Sequence, residues 1–90
     1  MPILLVTYAL NNPVKDYSGL FQEIQKNCHE WWHYLDHTWI VNTADTADQF
    51  AKKLYPFIER KDFLLVVRLH REHQGWLPED AWEWLTRMTY

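Results

Sequence analysis

Four short segments rich in large apolar residues are interspersed with segments whose apolar residues recur at helical spacing. The strand-like segments are residues 2–10, 30–35, 38–41 and 62–69. The two middle segments, within EWWHYLDHTWIV, are predicted to form a hairpin that turns at Asp36 and His37. Asn11, Asn12 and Pro13 end the first strand, because Asn and Pro favour turns.

Three helices are predicted from apolar stripes and from the residues that flank them. Asp16 can cap the first helix, and Thr46 with Gln49 has the form of a capping box for the second. Pro56 ends or kinks the second helix near its last turn, and Pro78 suits the first turn of a short terminal helix. The apolar stripes are Tyr17, Leu20, Phe21, Ile24 and Cys28 in the first helix, Ala47, Phe50, Ala51, Leu54 and Ile58 in the second, and Ala81, Trp82, Leu85 and Met88 in the third.

The order of these elements, β-α-β-β-α-β followed by a short C-terminal helix, indicates an α+β protein. It is the split βαβ or ferredoxin-like arrangement, in which two helices cover one face of a four-stranded antiparallel sheet. The chain has 90 residues, so residues 1–90 are expected to form one domain.

Three of the four predicted strands are apolar on both faces, and two helices can hide only one face. The uncovered face would be an apolar patch of the kind that marks an interface. A two-fold homodimer is one solution, with Trp32, Tyr34 and Val66 as candidate interface residues. The alternative is a monomer in which the terminal helix folds back over the second face.

Charge and cysteine content narrow the class of protein. The net charge of −3 and the pI of about 5.9 lack the strong positive excess of a general nucleic-acid binder. The single cysteine, Cys28, excludes an intramolecular disulfide and fits a reducing compartment. The N-terminal MPILLVTYAL lacks the basic region of an export signal, and no apolar run approaches the roughly 20 residues that cross a bilayer. A cytoplasmic protein without a membrane partner is therefore expected.

Candidate ligand contacts cluster near the end of the first strand. Tyr8, Asn11, Asn12 and Tyr17 together could stack on and hydrogen-bond a nucleotide base. The basic candidates for phosphate contact are Lys52 and Lys53 on the second helix, Arg60 and Lys61 at its exit, Arg68 on the fourth strand, and also Lys15 and Arg71. A solvated helix face is the alternative interpretation of the basic residues.

Other reactive residue types do not form a recognisable motif. His29, His33 and His37 are spaced by four, but a strand through them spans roughly 25 Å, too far to share one ion. Cys28 lies on the apolar stripe of the first helix and is expected to be an inert buried thiol. No phosphate-binding glycine loop or nucleophile elbow is present, so no metal site or cofactor is predicted.

Several segments together resemble a known family of small proteins. TYALN (7–11), DY (16–17), WHYL (32–35) and TWIV (38–41) are similar to the Cas-two-like CRISPR-associated and virulence-associated protein D-like group, which includes uncharacterised SinR-like bacterial and phage proteins. The resemblance covers most of the chain and implies a ferredoxin-like homodimer.

The same resemblance raises the question of nuclease activity. In the nuclease members of the group, an Asp at the end of the first strand, paired with its copy in the second subunit, would hold a divalent metal that activates water against a phosphodiester. Ala9 occupies the matching position here and has no lone pair to give a metal. The resemblance thus implies the nuclease fold without the metal-dependent mechanism.

Three functional hypotheses follow. The first is a homodimeric module that binds nucleic acid, a nucleotide or a partner protein in a phage-defence or toxin–antitoxin setting. The second is an active metal-dependent endoribonuclease or deoxyribonuclease in which a neighbouring carboxylate such as Asp16 replaces the missing Asp, the only case that needs a divalent metal. The third is a protein-only inhibitor or structural dimer, which the acidic net charge favours.

Overall fold

A computed structural model describes the whole chain, residues 1–90. The strands are β1 (Ile3–Ala9), β2 (Glu30–Leu35), β3 (Thr38–Asn42) and β4 (Phe63–Arg68), and the helices are α1 (Ser18–Lys26), α2 (Ala47–Leu54) and α3 (Glu79–Arg87). The strands form one antiparallel sheet in the order β2-β3-β1-β4. The α+β class and the four-stranded antiparallel sheet are thus confirmed, and the arrangement is consistent with a ferredoxin-like fold. No helix is both long and apolar enough to cross a membrane.

β1 is a central strand, hydrogen-bonded to β3 on one side and to β4 on the other. Because side chains alternate along a strand, every second residue of β1 points toward α1 and α2. Leu4, Val6 and Tyr8 occupy these positions and are buried. The main core consists of these three residues together with Leu20, Ile24, Trp39, Val41, Phe50 and Leu54.

Both predicted boundaries of α2 have direct structural counterparts. Thr46 Oγ1 accepts the Gln49 N–H at 3.2 Å, and Gln49 Oε1 accepts the Thr46 N–H at 3.0 Å, which forms the predicted capping box. α1 differs from the prediction, because its N-cap residue is Tyr17, which makes no side-chain capping bond. Asp16, one residue earlier, accepts the Ser18 N–H at 2.9 Å through Oδ1. α2 ends before Pro56, which lies in the 3-10 turn that follows.

α1 ends earlier than its apolar stripe predicts. Its last residue is Lys26, and the next residue, Asn27, donates from Nδ2 to the Glu23 carbonyl at 2.8 Å. Such a bond back to the preceding turn is an alternative to continuing the helix. Cys28 therefore lies in the connection to β2 and not on the helix as predicted; its thiol donates to the Gln25 carbonyl at 3.6 Å.

α3 packs on the face of the sheet opposite α1 and α2. Trp32 lies on this face with only 1% of its surface exposed, and its indole N–H donates to the Ala81 carbonyl at 3.2 Å. The second core cluster contains Ile3, Trp32, Ile40, Ala81, Leu85 and Met88. The terminal helix therefore covers Trp32 and the part of the second face around it.

The aromatic residues of β2 divide between the two faces of the sheet. The Trp31 ring lies 5.2 Å from that of Trp39, and the His33 ring stacks on Trp39 at 3.9 Å, on the side of the main core. The Trp32 and Tyr34 rings lie 5.2 Å apart on the side of α3. The apolar character of both faces thus reflects two separate cores, one beneath each helical layer.

β4 is left uncovered on the α3 side, because α3 lies over β2 at the other edge of the sheet. Phe63, Leu65 and Val67 point to this side and are 69%, 57% and 38% exposed. We refer to these three residues as the β4 stripe. On the other face of the same strand, Leu64 and Val66 pack, partly buried, against the main core. The second face is therefore only partly hidden by the terminal helix.

Candidate functional site

A polar cleft opens where the loop after β1 meets the loop before β4. It has a volume of about 580 Å³ and no hydrophobic side chain in its lining. The lining residues are Asn11, Asn12, Pro13, Glu59, Arg60 and Lys61. We refer to it as the Asn11 cleft. Both loops follow or precede strands that pair directly, so the sheet itself brings the two walls together.

Asp62 joins the two walls of the cleft. Its Oδ1 accepts the Asn11 N–H at 2.7 Å, and its Oδ2 accepts the Glu59 N–H at 2.9 Å. The Tyr17 hydroxyl lies 2.8 Å and 2.9 Å from the two carboxylate oxygens and donates to them. The carboxylate is buried, yet three donor groups from three chain segments satisfy it. It is consequently a structural anchor of the cleft.

The charge state of Asp62 follows from these bonds. Burial by itself raises the pKa of Asp62, but the Asn11 and Glu59 N–H groups, the Tyr17 hydroxyl and the Lys15 charge outweigh it and leave the pKa below its ordinary value. Burial and the adjacent Asp62 carboxylate raise the pKa of Tyr17. At neutral pH the pair is therefore a carboxylate with a protonated phenol.

The cleft presents amide and cationic groups to solvent. Asn11 Nδ2 donates to the Lys61 carbonyl at 2.7 Å, and Asn12 Nδ2 donates to Glu59 Oε2 at 2.9 Å. Lys15 Nζ lies 3.7 Å from Glu59 Oε1, so the only acid in the lining is compensated. Arg60 and Lys61 are exposed and take part in no ion pair. The lining therefore has two uncompensated cations beside two carboxamides, which suits an anionic ligand with polar edges.

The structure gathers some of the sequence-predicted contacts and separates others. Asn11 and Asn12 line the cleft, and Tyr17 supports it from below through Asp62. Tyr8 is buried and accepts the indole N–H of Trp39 at 2.9 Å, so it faces the main core. Tyr8 therefore does not line the cleft.

Of the predicted basic contacts, only Arg60 and Lys61 line the cleft. Lys52 Nζ is 3.0 Å from Asp48, and Lys53 Nζ is 2.7 Å from Asp45, both on the surface around α2. Arg68 lies at the opposite end of β4 from the cleft. The solvated helix face is accordingly the better interpretation of the two lysines.

The three predicted interface residues lie in different surroundings. Trp32 is covered by α3, Tyr34 is 43% exposed beside it, and Val66 is half-buried against the main core. Of the three side chains, only that of Tyr34 is largely exposed.

Ala9 is exposed at the end of β1, paired with Phe63 of β4. Its methyl group offers no ligand atom for a metal. Asp16, the nearest alternative carboxylate along the sequence, is engaged by the Ser18 N–H, which lowers the pKa of Asp16. No group of three or more His, Cys, Asp or Glu side chains lies close enough together to hold a metal ion.

Cys28 should react slowly with alkylating reagents in the folded protein. Burial raises the pKa of the Cys28 thiol to about 11. Since the thiolate is the nucleophile, iodoacetamide labelling at pH 8 should be roughly 100-fold slower than in denaturant. Mass spectrometry of a labelling time course measures both rates, and equal rates in the two conditions would contradict the assignment.

Comparison with known proteins adds no relative: no family model, no curated protein and no solved structure matches the chain.

Proposed function

We propose that this protein is a homodimeric binding module of ferredoxin-like fold that holds a nucleotide or a single-stranded nucleic acid in the Asn11 cleft. The proposal includes kinship with the Cas-two-like and protein D-like group and a role in a defence or toxin–antitoxin setting. The observation that carries it is the composition of the cleft, in which Arg60 and Lys61 stand unpaired beside Asn11 and Asn12.

The chemistry of these groups fits a nucleotide. Arg60 and Lys61 would neutralise phosphate, with the guanidinium of Arg60 able to bind two oxygens at once. The carboxamides of Asn11 and Asn12 would accept from or donate to base and ribose edges once their present bonds open. Because Lys15 compensates the charge of Glu59, an anionic ligand that enters the cleft meets no repelling carboxylate. The local positive potential thus offsets an overall charge of −3.

Binding without metal-dependent cleavage is the second part of the proposal. The carboxylates at the cleft are already bonded: Glu59 to Asn12 and Lys15, and Asp62 to three donor groups. Asp16 accepts the Ser18 N–H. A metal would have to displace those donors. The exposed methyl of Ala9 supplies no replacement. We therefore propose that the active-nuclease alternative does not apply.

A protein-only role is the second candidate. The specific observation in its favour is the β4 stripe, where Phe63 is 69% exposed on a strand at the edge of the sheet. Exposed apolar side chains in a row mark a protein interface more often than a nucleic-acid surface. This candidate requires no ligand in the Asn11 cleft.

The test is a charge reversal at the cleft. A fluorescent single-stranded 12-mer RNA, its DNA counterpart and a mononucleotide serve as probes in anisotropy and calorimetry. The Arg60→Glu/Lys61→Glu variant should bind at least about 10-fold more weakly, and the slope of log K against log salt should fall in magnitude by about 1.4, or 0.7 per lost phosphate contact on a single strand.

The matched control is Lys52→Glu/Lys53→Glu, which makes the same charge change on α2. It should bind as the unchanged protein does. Equal losses in both variants would mean that binding is non-specific, and no binding of any probe at low salt would overturn the ligand proposal. Cleavage of the RNA in Mg²⁺ that disappears in Asp16→Asn would instead support the active-nuclease alternative.

A further inference from the structure

β4 is an edge strand with free backbone groups. Only β1 pairs with it, and the Leu69 N–H donates to the Ile3 carbonyl at 2.8 Å just beyond the strand. In an antiparallel ladder, alternate residues direct their backbone groups to the same neighbour. The odd-numbered residues of β4 therefore bond to β1. The backbone N–H and C=O groups of Leu64, Val66 and Arg68 point away from the sheet.

This edge lacks the features that keep strands from pairing with other chains. Natural edges are protected by charged residues, proline, bulges or a covering element. From Phe63 to Val67 the strand has none of these, and only its last residue, Arg68, is charged. The opposite edge differs, because β2 begins with Glu30 and its register with β3 shifts after Trp32. Of the two edges, β4 is thus the one suited to pairing.

We propose that two copies of this chain pair through β4, antiparallel, about a two-fold axis at Leu65. Two residues that lie opposite each other in paired strands must have their side chains on the same face of the sheet. An axis between two neighbouring residues would place side chains of different faces opposite each other, so the axis has to pass through one residue. Centring on Leu65 puts Phe63 of each copy opposite Val67 of the other. Leu64 and Val66 then exchange hydrogen bonds through the backbone groups that point outward.

A second copy satisfies this edge in two ways at once, through the outward backbone groups and through the β4 stripe. The β4 stripe joins its own image, so Phe63, Leu65 and Val67 form one continuous apolar row across the axis. Aromatic and β-branched residues directly opposite each other are a favourable cross-strand pair. An arbitrary extended peptide would share only the backbone bonds.

The small area of the paired surface indicates a weak dimer. An aromatic side chain can bury about 150–250 Å², so Phe63, at 69% exposed, leaves roughly 100–170 Å² in water. The pairing would accordingly fall at the low end of specific interfaces, below about 1,200 Å² in total. A dimer that dissociates on dilution is the expected behaviour.

The pairing specifies the dimer of the proposed function and is independent of what the cleft binds. The loop of residues 59–61 precedes β4, so the two clefts lie at opposite ends of the paired strands. The Lys61 residues of the two copies are separated by eight residues along the paired strands, or roughly 25 Å at about 3.3 Å per residue. The eight-stranded sheet would carry its two clefts on opposite flanks.

A disulfide test reads the register directly. In a Cys28→Ser background, Leu65→Cys places two thiols opposite each other in a pair without backbone bonds, where the Cα atoms are about 4.5 Å apart. That distance permits a disulfide, so mild oxidation should give a covalent dimer. Val67→Cys is the matched control. The two cysteines of this variant would lie four residues apart along the paired strands, roughly 13 Å, so the protein should stay monomeric on oxidation.

Analytical ultracentrifugation from about 1 µM to about 1 mM gives the second readout. The unchanged protein should dimerise with concentration, and Leu65→Lys, at a 57% exposed position, should weaken this at least about 10-fold while circular dichroism shows it folded. Trp76→Lys, fully exposed outside β4, is the control. A dimer that survives Leu65→Lys and forms no disulfide at position 65 would overturn edge pairing and leave the proposed homodimer on another face. A monomer at every concentration would overturn both the edge pairing and the proposed homodimer. It would leave the proposal of ligand binding in the Asn11 cleft untouched, since that has its own test.

Discussion

Replacing Trp32 by Ala should lower the free energy of unfolding by about 3–5 kcal/mol, the usual cost of truncating a buried aromatic residue. Trp32 is 1% exposed and carries the only indole hydrogen bond to α3, donated to the Ala81 carbonyl at 3.2 Å. Truncation would empty the second core and remove the contact that fixes α3 on the sheet. Because a domain of this size is stable by only about 5–15 kcal/mol, the variant should be close to unfolding at physiological temperature.

The measurement is urea denaturation followed by circular dichroism, with Trp76→Ala as the matched control. Trp76 is fully exposed, so its loss should change stability by less than about 0.5 kcal/mol. Trp32→Phe should fall between the two, because it keeps most of the ring volume but not the N–H donor. A Trp32→Ala protein as stable as the control would show that α3 does not depend on this contact.

Asp62→Asn should lower the midpoint of thermal unfolding by on the order of 10 °C and weaken ligand binding in the same protein. The carboxylate of Asp62 accepts the Asn11 N–H, the Glu59 N–H and the Tyr17 hydroxyl, and it is these bonds that hold the cleft walls together. The Asn side chain has the same shape but turns an NH₂ group toward at least one of these donors. The walls should then separate, and calorimetry and anisotropy would detect both effects.

The pH dependence of stability provides an independent check on Asp62. Its pKa in the folded protein lies below the ordinary value of 3.8, so its contribution is present above that value and is lost as the pH falls through the lowered pKa. Asp62→Asn should therefore flatten the decline in stability below pH 3.8. Asp36→Asn, in the exposed β2–β3 turn, is the control and should keep the decline. Identical acid profiles for all three proteins would count against the anchoring role.

Local sequence signals predicted much of the fold. The capping box at Thr46 and Gln49, the turn at Asp36 and the alternation along β1 are short-range features, and the structure has each of them. The face taken by Trp32 was not predictable in the same way. β2 is apolar on both sides, so only the packing of α3, which lies some 50 residues further on, decides it.

The candidate site was predictable in part. The turn residues Asn11 and Asn12 stood out by composition, and the structure brings them to a cleft. Asp62 did not stand out, because it bonds to Asn11 and Tyr17 across 51 and 45 residues of sequence, and no local spacing encodes such contacts. Lys52 is a different case, since Asp48 four residues earlier already indicated a surface ion pair.

The central place of β1 has a consequence for how the protein folds as it is made. Residues 3–9 are synthesised before both of their neighbours in the sheet, which are residues 38–42 and 63–68. Both strands of the β2–β3 hairpin are synthesised earlier than β4, so β1 lacks its second partner until β4 has been made. α3, which packs on Trp32, is synthesised later still. The sheet is therefore completed late, and until then its aromatic hairpin depends on rapid collapse or on chaperones to avoid self-association.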